Sequence, residues 1–210
     1  MNAYPIGRSK VVQAWRAMID GVKADHDMLL HYDAKYAPER ARGGSPRIGR
    51  DFVTRVGFQM LALYRAMRFF VEAEVPLAPQ VVSRTIRHLY GSDIHWEARL
   101  EPGVVLVHGM GLAISRAARV ERGAILFQNV TLGMSIDPAT RTTGAPTVGR
   151  DVHVGAGATI VGPVTLGARS KVSANCFVRT SVPPDSLVEA PTPVVSARVG
   201  HPHPVSKADS

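Results

Sequence analysis

The sequence contains very little cysteine: Cys176 is the only one among 210 residues. A disulfide framework and a zinc site built from cysteines both need several such residues, so neither can form within one chain. Cys176 falls at a repeated small position, and we interpret it as a corner filler rather than a reactive thiol. This cysteine usage fits a reducing compartment and predicts a cytoplasmic protein.

Long apolar runs and acidic residues are also scarce. No window reaches the roughly 18 to 20 uninterrupted apolar residues of a membrane span, and "MNAYPIGRSK" at the N-terminus has no apolar run behind its charges. The net charge of +8 suits nucleic acid, an anionic membrane surface or a phosphorylated small ligand without choosing among them. Because zinc-finger, aromatic-rich RNA-binding and basic-zipper patterns are missing, we expect no nucleic-acid partner and no membrane span.

Residues 1–92 have the apolar spacing of helices. The stretches "SKVVQAWRAMIDGVKADHDMLLHY" and "RDFVTRVGFQMLALYRAMRFFVEAEV" place apolar residues three and four apart, and "APQVVSRTIRHLY" predicts a shorter third helix. The intervening "APERARGGSPRIG" is predicted to be a loop. The second helix is rich in Phe, Leu and Met, which predicts a buried or intersubunit face rather than a membrane surface. We expect this segment to serve in oligomerisation.

The apolar spacing changes to six residues after residue 92. One six-residue grid carries Ile94, Leu100, Leu106, Leu112, Ala118, Ala124 and Val130, and then Val148, Val154, Ile160, Leu166, Val172 and Val178. Helices cannot produce this period, whereas a β-solenoid with one short strand and one turn per repeat does. The grid blurs where Ile114, Val120 and Leu126 compete for the interior. We predict a solenoid over 93–190 and a C-terminal tail over 191–210.

The solenoid motifs resemble those of a known family. The stretches "SDIHWEARLEPGVVLVHG", "NVTLG", "VGRDVHVGAGATIVGPVTLGARSKVSANCFV" and "VPPDS" are similar to the hexapeptide-repeat acyltransferases, and among them to the serine O-acetyltransferases. The resemblance implies an α+β protein in which helices precede a left-handed parallel β-helix of about 18 residues per coil. It also implies a homotrimer, with a hexamer as a further possibility, and acetyl-CoA bound between subunits.

His108 is the candidate general base. Acetyl transfer to an alcohol needs a group that takes the hydroxyl proton, and imidazole has a suitable pKa. Asp93 lies 15 residues earlier, which in a coil of about 18 residues places it on the neighbouring turn, offset by only three positions. The family's aspartate and histidine dyad matches Asp93 of "SDIHWEA" and His108 of "LVHG". His95 is the rival, and a purely structural histidine is the alternative for His108.

Small residues on successive coils form the candidate donor groove. By the resemblance, Ala156 and Ala174 line the pantetheine arm of acetyl-CoA, with Gly155 close by. The basic residues Arg169, Lys171, Arg179 and Arg198 are candidates for its phosphates, and the sequence leaves the choice among them open.

By the resemblance, residues 1–92 are also expected to lie on the acceptor side of the site, and this side departs from the family. Val107 stands where serine acetyltransferases carry an aspartate, and Gly144 and Ala145 stand where they carry an arginine and a histidine. Because apolar side chains cannot replace charged hydrogen bonds, the sequence predicts an O-acetyltransferase for a non-serine acceptor such as a sugar or a secondary-metabolite intermediate, with L-serine a poor substrate. The insertion "GMSIDPATRTTGAP" is expected to loop out over the neighbouring subunit's cleft.

Three alternatives remain open from the sequence. The first is a true serine O-acetyltransferase of cysteine biosynthesis, and the second is a non-catalytic β-helix scaffold. The third is a γ-type carbonic anhydrase, which needs three histidines on one zinc. His108 and His153 are present but the repeat supplies no third ligand, so no metal is expected.

Overall fold

A computed structural model describes residues 8–41, 48–137 and 139–194. Helices come first in this chain and a solenoid of short parallel strands follows, so the predicted class of helices followed by a parallel β-helix is confirmed. None of the helices in these ranges is long and apolar enough to cross a membrane. Most of the predicted tail, from residue 195 onward, lies outside the described residues.

The helical segment is more divided than the sequence predicted. Its helices are α1 (Arg8–Tyr36), α2 (Pro38–Ala41), α3 (Ile48–Thr54), α4 (Val56–Glu72) and α5 (Ala78–Tyr90). The predicted second helix is therefore wrong as one piece, because the extended backbone of Arg55 (φ −116°, ψ 97°) separates α3 from α4. The predicted loop before it is also partly wrong: it contains α2 and the start of α3, and its middle (42–47) lies outside the described residues.

The solenoid winds through three parallel sheets. Face A consists of β1 (Asp93–Ile94), β4 (Ala113–Ile114), β7 (Thr131–Gly133), β12 (Thr159–Val161) and β15 (Phe177–Val178). Face B consists of β2 (Arg99–Leu100), β5 (Arg119–Val120), β10 (Thr147–Val148) and β13 (Thr165–Leu166). Face C consists of β3 (Val105–Val107), β6 (Ile125–Phe127), β11 (His153–Val154), β14 (Lys171–Val172) and β16 (Leu187–Val188). An antiparallel hairpin, β8 (Ser135–Ile136) with β9 (Thr143–Gly144), projects from the third coil.

The six-residue grid is correct in period but shifts its phase twice: at the first corner, and again at the hairpin, where Val120 pairs with Val148, twenty-eight positions on. Asp93 pairs with Ala113, twenty positions on, whereas Ala113 pairs with Thr131, eighteen positions on. The first coil therefore holds two extra residues, at the corner that contains His108 and Gly109. As a result Ile114, Val120 and Leu126 occupy the inward strand positions beyond this corner. The predicted strand positions Leu112, Ala118, Ala124 and Val130 are instead buried corner positions.

A buried ion pair fixes the helical segment to the first coil. Arg65 of α4 donates from Nε and Nη2 to the two carboxylate oxygens of Asp25 of α1, at 2.8 and 2.9 Å. The guanidinium also donates to the carbonyl oxygens of Leu100 and Glu101, at 2.6 and 2.7 Å. Asp25 in turn accepts the backbone N–H of Gly103 at 2.8 Å. Asp25 and Arg65 therefore form hydrogen bonds with the solenoid backbone as well as with each other. A buried ion pair needs such additional partners to be stable.

Side chains of the helices also form hydrogen bonds with backbone groups of the first coil of the solenoid. The Tyr64 hydroxyl donates to the carbonyl of Ala98 at 2.8 Å and accepts the N–H of Leu100 at 3.0 Å. Ser83 of α5 donates to the carbonyl of Ile94 at 3.0 Å, and Arg68 donates to the carbonyl of Trp96 at 3.0 Å. Backbone groups of β1, β2 and the turn between them thus find partners in α4 and α5.

Gly57 allows α4 to approach β3 very closely. A Cβ at this position would lie 1.8 Å from the carbonyl oxygen of Leu106, a distance that no side chain can occupy. The first turn of α4 therefore rests directly on the backbone that leads into His108. This contact brings the helical segment to the edge of the candidate site.

Candidate active site

His108 lies at the corner between β3 and β4. Its backbone is in the left-handed region, with φ of +63°, and its side chain is exposed. Histidine rarely adopts this conformation, and here it follows from the two extra residues that widen the corner. This irregular turn exposes the imidazole of His108 at the surface of the solenoid, whose walls are otherwise built from short regular strands.

The same corner of the later coils carries the predicted donor residues. Backbone hydrogen bonds stack the turns on one another: Asn129 N–H donates to Met110, Gly157 N–H to Gln128, and Asn175 N–H to Ala156, at 2.9 to 3.0 Å. We call this stack the His108 corner, and its successive coils present Met110, Gln128, Ala156 and Ala174. The strand spacing of about 4.8 Å separates each coil from the next.

Gly155 is needed at this corner because the next coil lies against it. A Cβ at Gly155 would be 2.6 Å from the backbone nitrogen of Ala174. The structure thus brings Gly155, Ala156 and Ala174 together on the same edge as His108. Their small side chains leave the backbone of that edge accessible to an extended ligand.

Asp93 reaches the His108 corner but binds another residue. Ser92 donates to the carbonyl oxygen of Gly109 at 2.9 Å, so the residues next to Asp93 and His108 are in contact. The Asp93 carboxylate, however, accepts a hydrogen bond from Arg87 of α5 at 2.7 Å and thereby raises the pKa of the Arg87 guanidinium. Among the described residues no hydrogen bond joins Asp93 to His108.

The side-chain contacts described for His95 are with its own turn. Its Nδ1 accepts the backbone N–H of Glu97 at 3.1 Å, and its ring stacks on Trp96 with centroids 4.0 Å apart. These contacts describe a residue that shapes the turn after β1.

Two of the predicted acceptor residues lie far along the coil from His108. Gly144 pairs with Ser135 in the hairpin and abuts Pro163, and Ala145 packs against the core. Both belong to the corner between faces A and B, whereas His108 belongs to the corner between faces C and A. Val107, the third predicted acceptor residue, does lie beside His108.

The insertion forms an ordered hairpin with its own cap. The Asp137 carboxylate accepts the backbone N–H groups of Thr140 and Ala139, both at 2.8 Å. These bonds lower the pKa of Asp137. The predicted interruption of the repeat is therefore present, and its described residues include an antiparallel hairpin.

A cavity of about 590 Å³ opens beside His108. It lies between the helical segment and face C, and its walls come from α1, α3, the start of α4 and β3. Its apolar lining includes Leu29, Val56, Phe58, Val105 and Val107. Its volume falls within the range of small-molecule sites, and His108 lies at its edge.

Charged residues of the helical segment also line this cavity, and sequence reasoning missed them. Asp33 forms an ion pair with Arg55, and its other carboxylate oxygen is buried without a hydrogen-bond partner. Asp51 lies nearby and accepts a hydrogen bond from His26 at 2.9 Å. A signal was available: Asp25 and Asp33 follow the same helical face as Leu29, so α1 carries carboxylates at core positions.

His153, the second histidine considered as a zinc ligand, lies on the outer side of β11. Its Nε2 is 3.4 Å from the Tyr36 hydroxyl. Burial lowers the pKa of His153, and the charges of Lys171 and Lys35 lower it further. In the described ranges no three His, Cys, Asp or Glu residues are grouped to hold a metal ion.

Comparisons with known proteins agree with this architecture. Residues 145–180 match the family of bacterial transferase hexapeptides (six repeats). A serine acetyltransferase from Synechococcus elongatus is 34% identical over 132 residues, which cover 63% of this chain and 53% of that protein. The serine acetyltransferase of Helicobacter pylori is 28% identical over 157 residues, or 73% of this chain and 91% of that protein.

Solved structures have the same fold. The serine acetyltransferase of Brucella abortus superposes with a TM-score of 0.72 at 23% identity, over 89% of this chain and 72% of that chain. A serine acetyltransferase in complex with CoA gives a TM-score of 0.71 at 22% identity, over 89% and 73%. The chain spans between 40% and 66% of the first three curated relatives that it matches. By its repeats, its preceding helices and these similarities, the chain resembles the hexapeptide-repeat serine O-acetyltransferases in sequence and fold.

Proposed function

We propose that the protein is a cytoplasmic, acetyl-CoA-dependent O-acetyltransferase with His108 as its general base. One observation carries the proposal: His108 lies where the edge that bears Ala156 and Ala174 meets the cavity beneath the helical segment. A donor that lies along the edge and an acceptor in the cavity would meet at this imidazole. The curated relatives named serine acetyltransferase support the same reaction class.

The chemistry needs only one base at this position. The imidazole of His108 takes the proton of the acceptor hydroxyl while the hydroxyl oxygen attacks the carbonyl carbon of the thioester. The carbon–sulfur bond then breaks, and the imidazolium returns the proton to the departing thiolate. Asp93 would help by orienting the ring once its carboxylate is released from Arg87.

Small residues support the assignment of the donor groove. Ala156 and Ala174 leave room for a pantetheine arm, and Gly155 lets two coils approach closely. The groove runs toward the C-terminal coils, about one strand spacing per coil. Acetyl-CoA is a co-substrate in this proposal and no metal takes part.

L-serine is the acceptor that we place first. The names of the relatives favour it over the non-serine acceptor that the sequence predicted. The partner-free oxygen of Asp33 also suits an acceptor with an ammonium group. Val107 supports a less polar alcohol as the second candidate, because its apolar side chain lines the cavity beside His108.

A homotrimer is part of the proposal. Gly144 and Ala145 lie on a different corner from His108, so if the hairpin takes part in the site, it contributes to the cavity of another subunit. We expect sedimentation velocity to show a trimer, or a hexamer of paired trimers, at micromolar concentration, with activity confined to the assembled species. An active monomer would contradict this assembly.

The reaction itself is tested by an acceptor panel. Purified protein is incubated with acetyl-CoA and one alcohol at a time, and the free thiol of CoA is followed. We expect thiol release that depends on the alcohol, with L-serine ahead of sugars and simple alcohols. If a sugar or another non-serine alcohol leads, the acceptor assignment fails and the reaction class stands. If calorimetry shows no acetyl-CoA binding and no alcohol reacts, the scaffold alternative is correct.

A further inference from the structure

We propose that Arg87 of α5 is a positioning residue that restrains Asp93: it binds the Asp93 carboxylate and so limits the support that Asp93 gives to His108. The inference rests on the proposed function, because it concerns how the general base is oriented. It adds a residue that lines no part of the cavity beside His108.

The backbone of Asp93 is fixed close to the His108 corner. Its N–H donates to the carbonyl of Leu112 at 2.7 Å, at the point where that corner leads into β4. The preceding Ser92 hydroxyl donates to the carbonyl of Gly109 at 2.9 Å and accepts the N–H of Leu112 at 3.1 Å. Side-chain torsions therefore decide which partner the Asp93 carboxylate meets.

The two candidate partners of this carboxylate lie on different sides of β1. This strand ends face A and has β4 on one side, whereas α5 binds it from the open side, where Ser83 donates to the carbonyl of Ile94. Arg87 belongs to the last turn of α5, and His108 belongs to the corner that leads into β4. In the structure Asp93 Oδ2 lies 2.7 Å from Arg87 Nη2, and no hydrogen bond joins Asp93 to His108 within the described ranges.

The ion pair is weak enough to exchange partners. The side chains of Arg87 and Asp93 are 55% and 52% exposed, and water and salt screen such a pair. It therefore restrains Asp93 by a small factor and does not lock it. For the same reason the pair contributes little to the stability of the fold, so its loss should leave the melting temperature nearly unchanged.

A carboxylate released from Arg87 would act on the chemical step. It would accept the Nδ1–H of the His108 imidazole, fix the orientation of the ring and stabilise the imidazolium that forms when the base takes a proton. Neither effect changes how the substrates bind. Loss of the Arg87 charge is therefore expected to raise kcat without altering KM for acetyl-CoA or for the alcohol.

Arg87→Gln tests the restraint, because it removes the charge and keeps a polar side chain. We expect kcat for acetyl transfer to rise about 2- to 5-fold, which corresponds to an exposed ion pair of about 0.4 to 1 kcal/mol. Arg87→Lys should reverse most of this gain, since an ammonium can also hold the carboxylate. Arg84→Gln is the matched control: Arg84 is exposed three positions earlier on α5, and we expect its loss to leave kcat unchanged.

Dependence on Asp93 distinguishes the restraint from other effects of Arg87. In an Asp93→Ala background the Arg87→Gln change should no longer raise kcat, and Asp93→Ala should cost more in Arg87→Gln than in the wild type. NMR of the His108 ring nitrogens, recorded without substrates, gives a readout that does not depend on turnover. We expect Nδ1–H to be hydrogen-bonded to a larger extent in Arg87→Gln than in the wild type.

The outcomes separate this inference from the proposed function. If Arg87→Gln leaves kcat unchanged or lowers it, or if the gain persists in Asp93→Ala, Arg87 does not restrain Asp93 and the inference is overturned. It is also overturned if NMR shows the His108 ring fully bonded to Asp93 in the wild type. If no alcohol reacts in any variant but the ring nitrogens respond to Arg87→Gln through Asp93, the proposed function fails and the restraint stands.

Discussion

Replacement of His108 by alanine is expected to lower the rate of acetyl transfer by roughly 10²- to 10⁴-fold, the usual contribution of a general base. The side chain is exposed and makes no hydrogen bond within the described residues, so thermal stability should change little. Acetyl-CoA affinity should also be nearly unchanged, because the groove is built from other residues. Rapid-quench turnover with the best acceptor and calorimetric titration of acetyl-CoA measure the two effects separately.

His95→Ala is the matched control for this experiment. It removes a histidine from a neighbouring turn, where the ring stacks on Trp96. Asp93→Ala should reduce the rate less than His108→Ala, since orientation of a base is worth less than the base itself. Near wild-type turnover of His108→Ala would mean that His108 is a structural corner residue and that another group takes the proton.

Replacement of Asp25 by alanine is expected to destabilise the fold by about 3 to 5 kcal/mol. The change would leave the buried guanidinium of Arg65 without its counter-ion and the backbone N–H of Gly103 without an acceptor. Urea denaturation measures the loss as a lower midpoint. Glu74→Ala is the control, because the ion pair of Glu74 with Lys10 is exposed and contributes little.

The double variant Asp25→Leu with Arg65→Met distinguishes charge pairing from packing. If the unpaired charge causes the loss, the double variant should recover much of the stability that Asp25→Ala loses. A midpoint for Asp25→Ala equal to that of the wild type would show that α1 is not anchored through this pair.

The sequence predicted the solenoid well because its period is a local property. Each strand needs one inward aliphatic residue. Val148, Val154 and Ile160 meet this requirement at a constant interval of six residues. The first of the two phase shifts was harder to predict, because Leu112 and Ile114 are both apolar and both buried. Only the pairing between coils reveals that Ile114 holds the strand position.

The cavity beside His108 was the part of the structure that the sequence predicted least well. Arg55 and Asp33 are 22 residues apart and meet only because a helix break and a close helix contact at Gly57 bring two elements together. Neither residue belongs to a repeat or a short motif. The shared edge of Ala156 and Ala174 was easier to predict, because these residues are 18 positions apart, which is one coil of the solenoid.

The contacts of α4 and α5 with the first coil have a consequence for solubility. Strands β1, β2 and β3 each lie at the end of a parallel sheet, and such open ends are templates for pairing with another chain. Tyr64, Arg65, Arg68 and Ser83 occupy backbone groups there that an incoming strand would otherwise use. We therefore expect the helical segment to hinder end-to-end stacking of the solenoid into fibres.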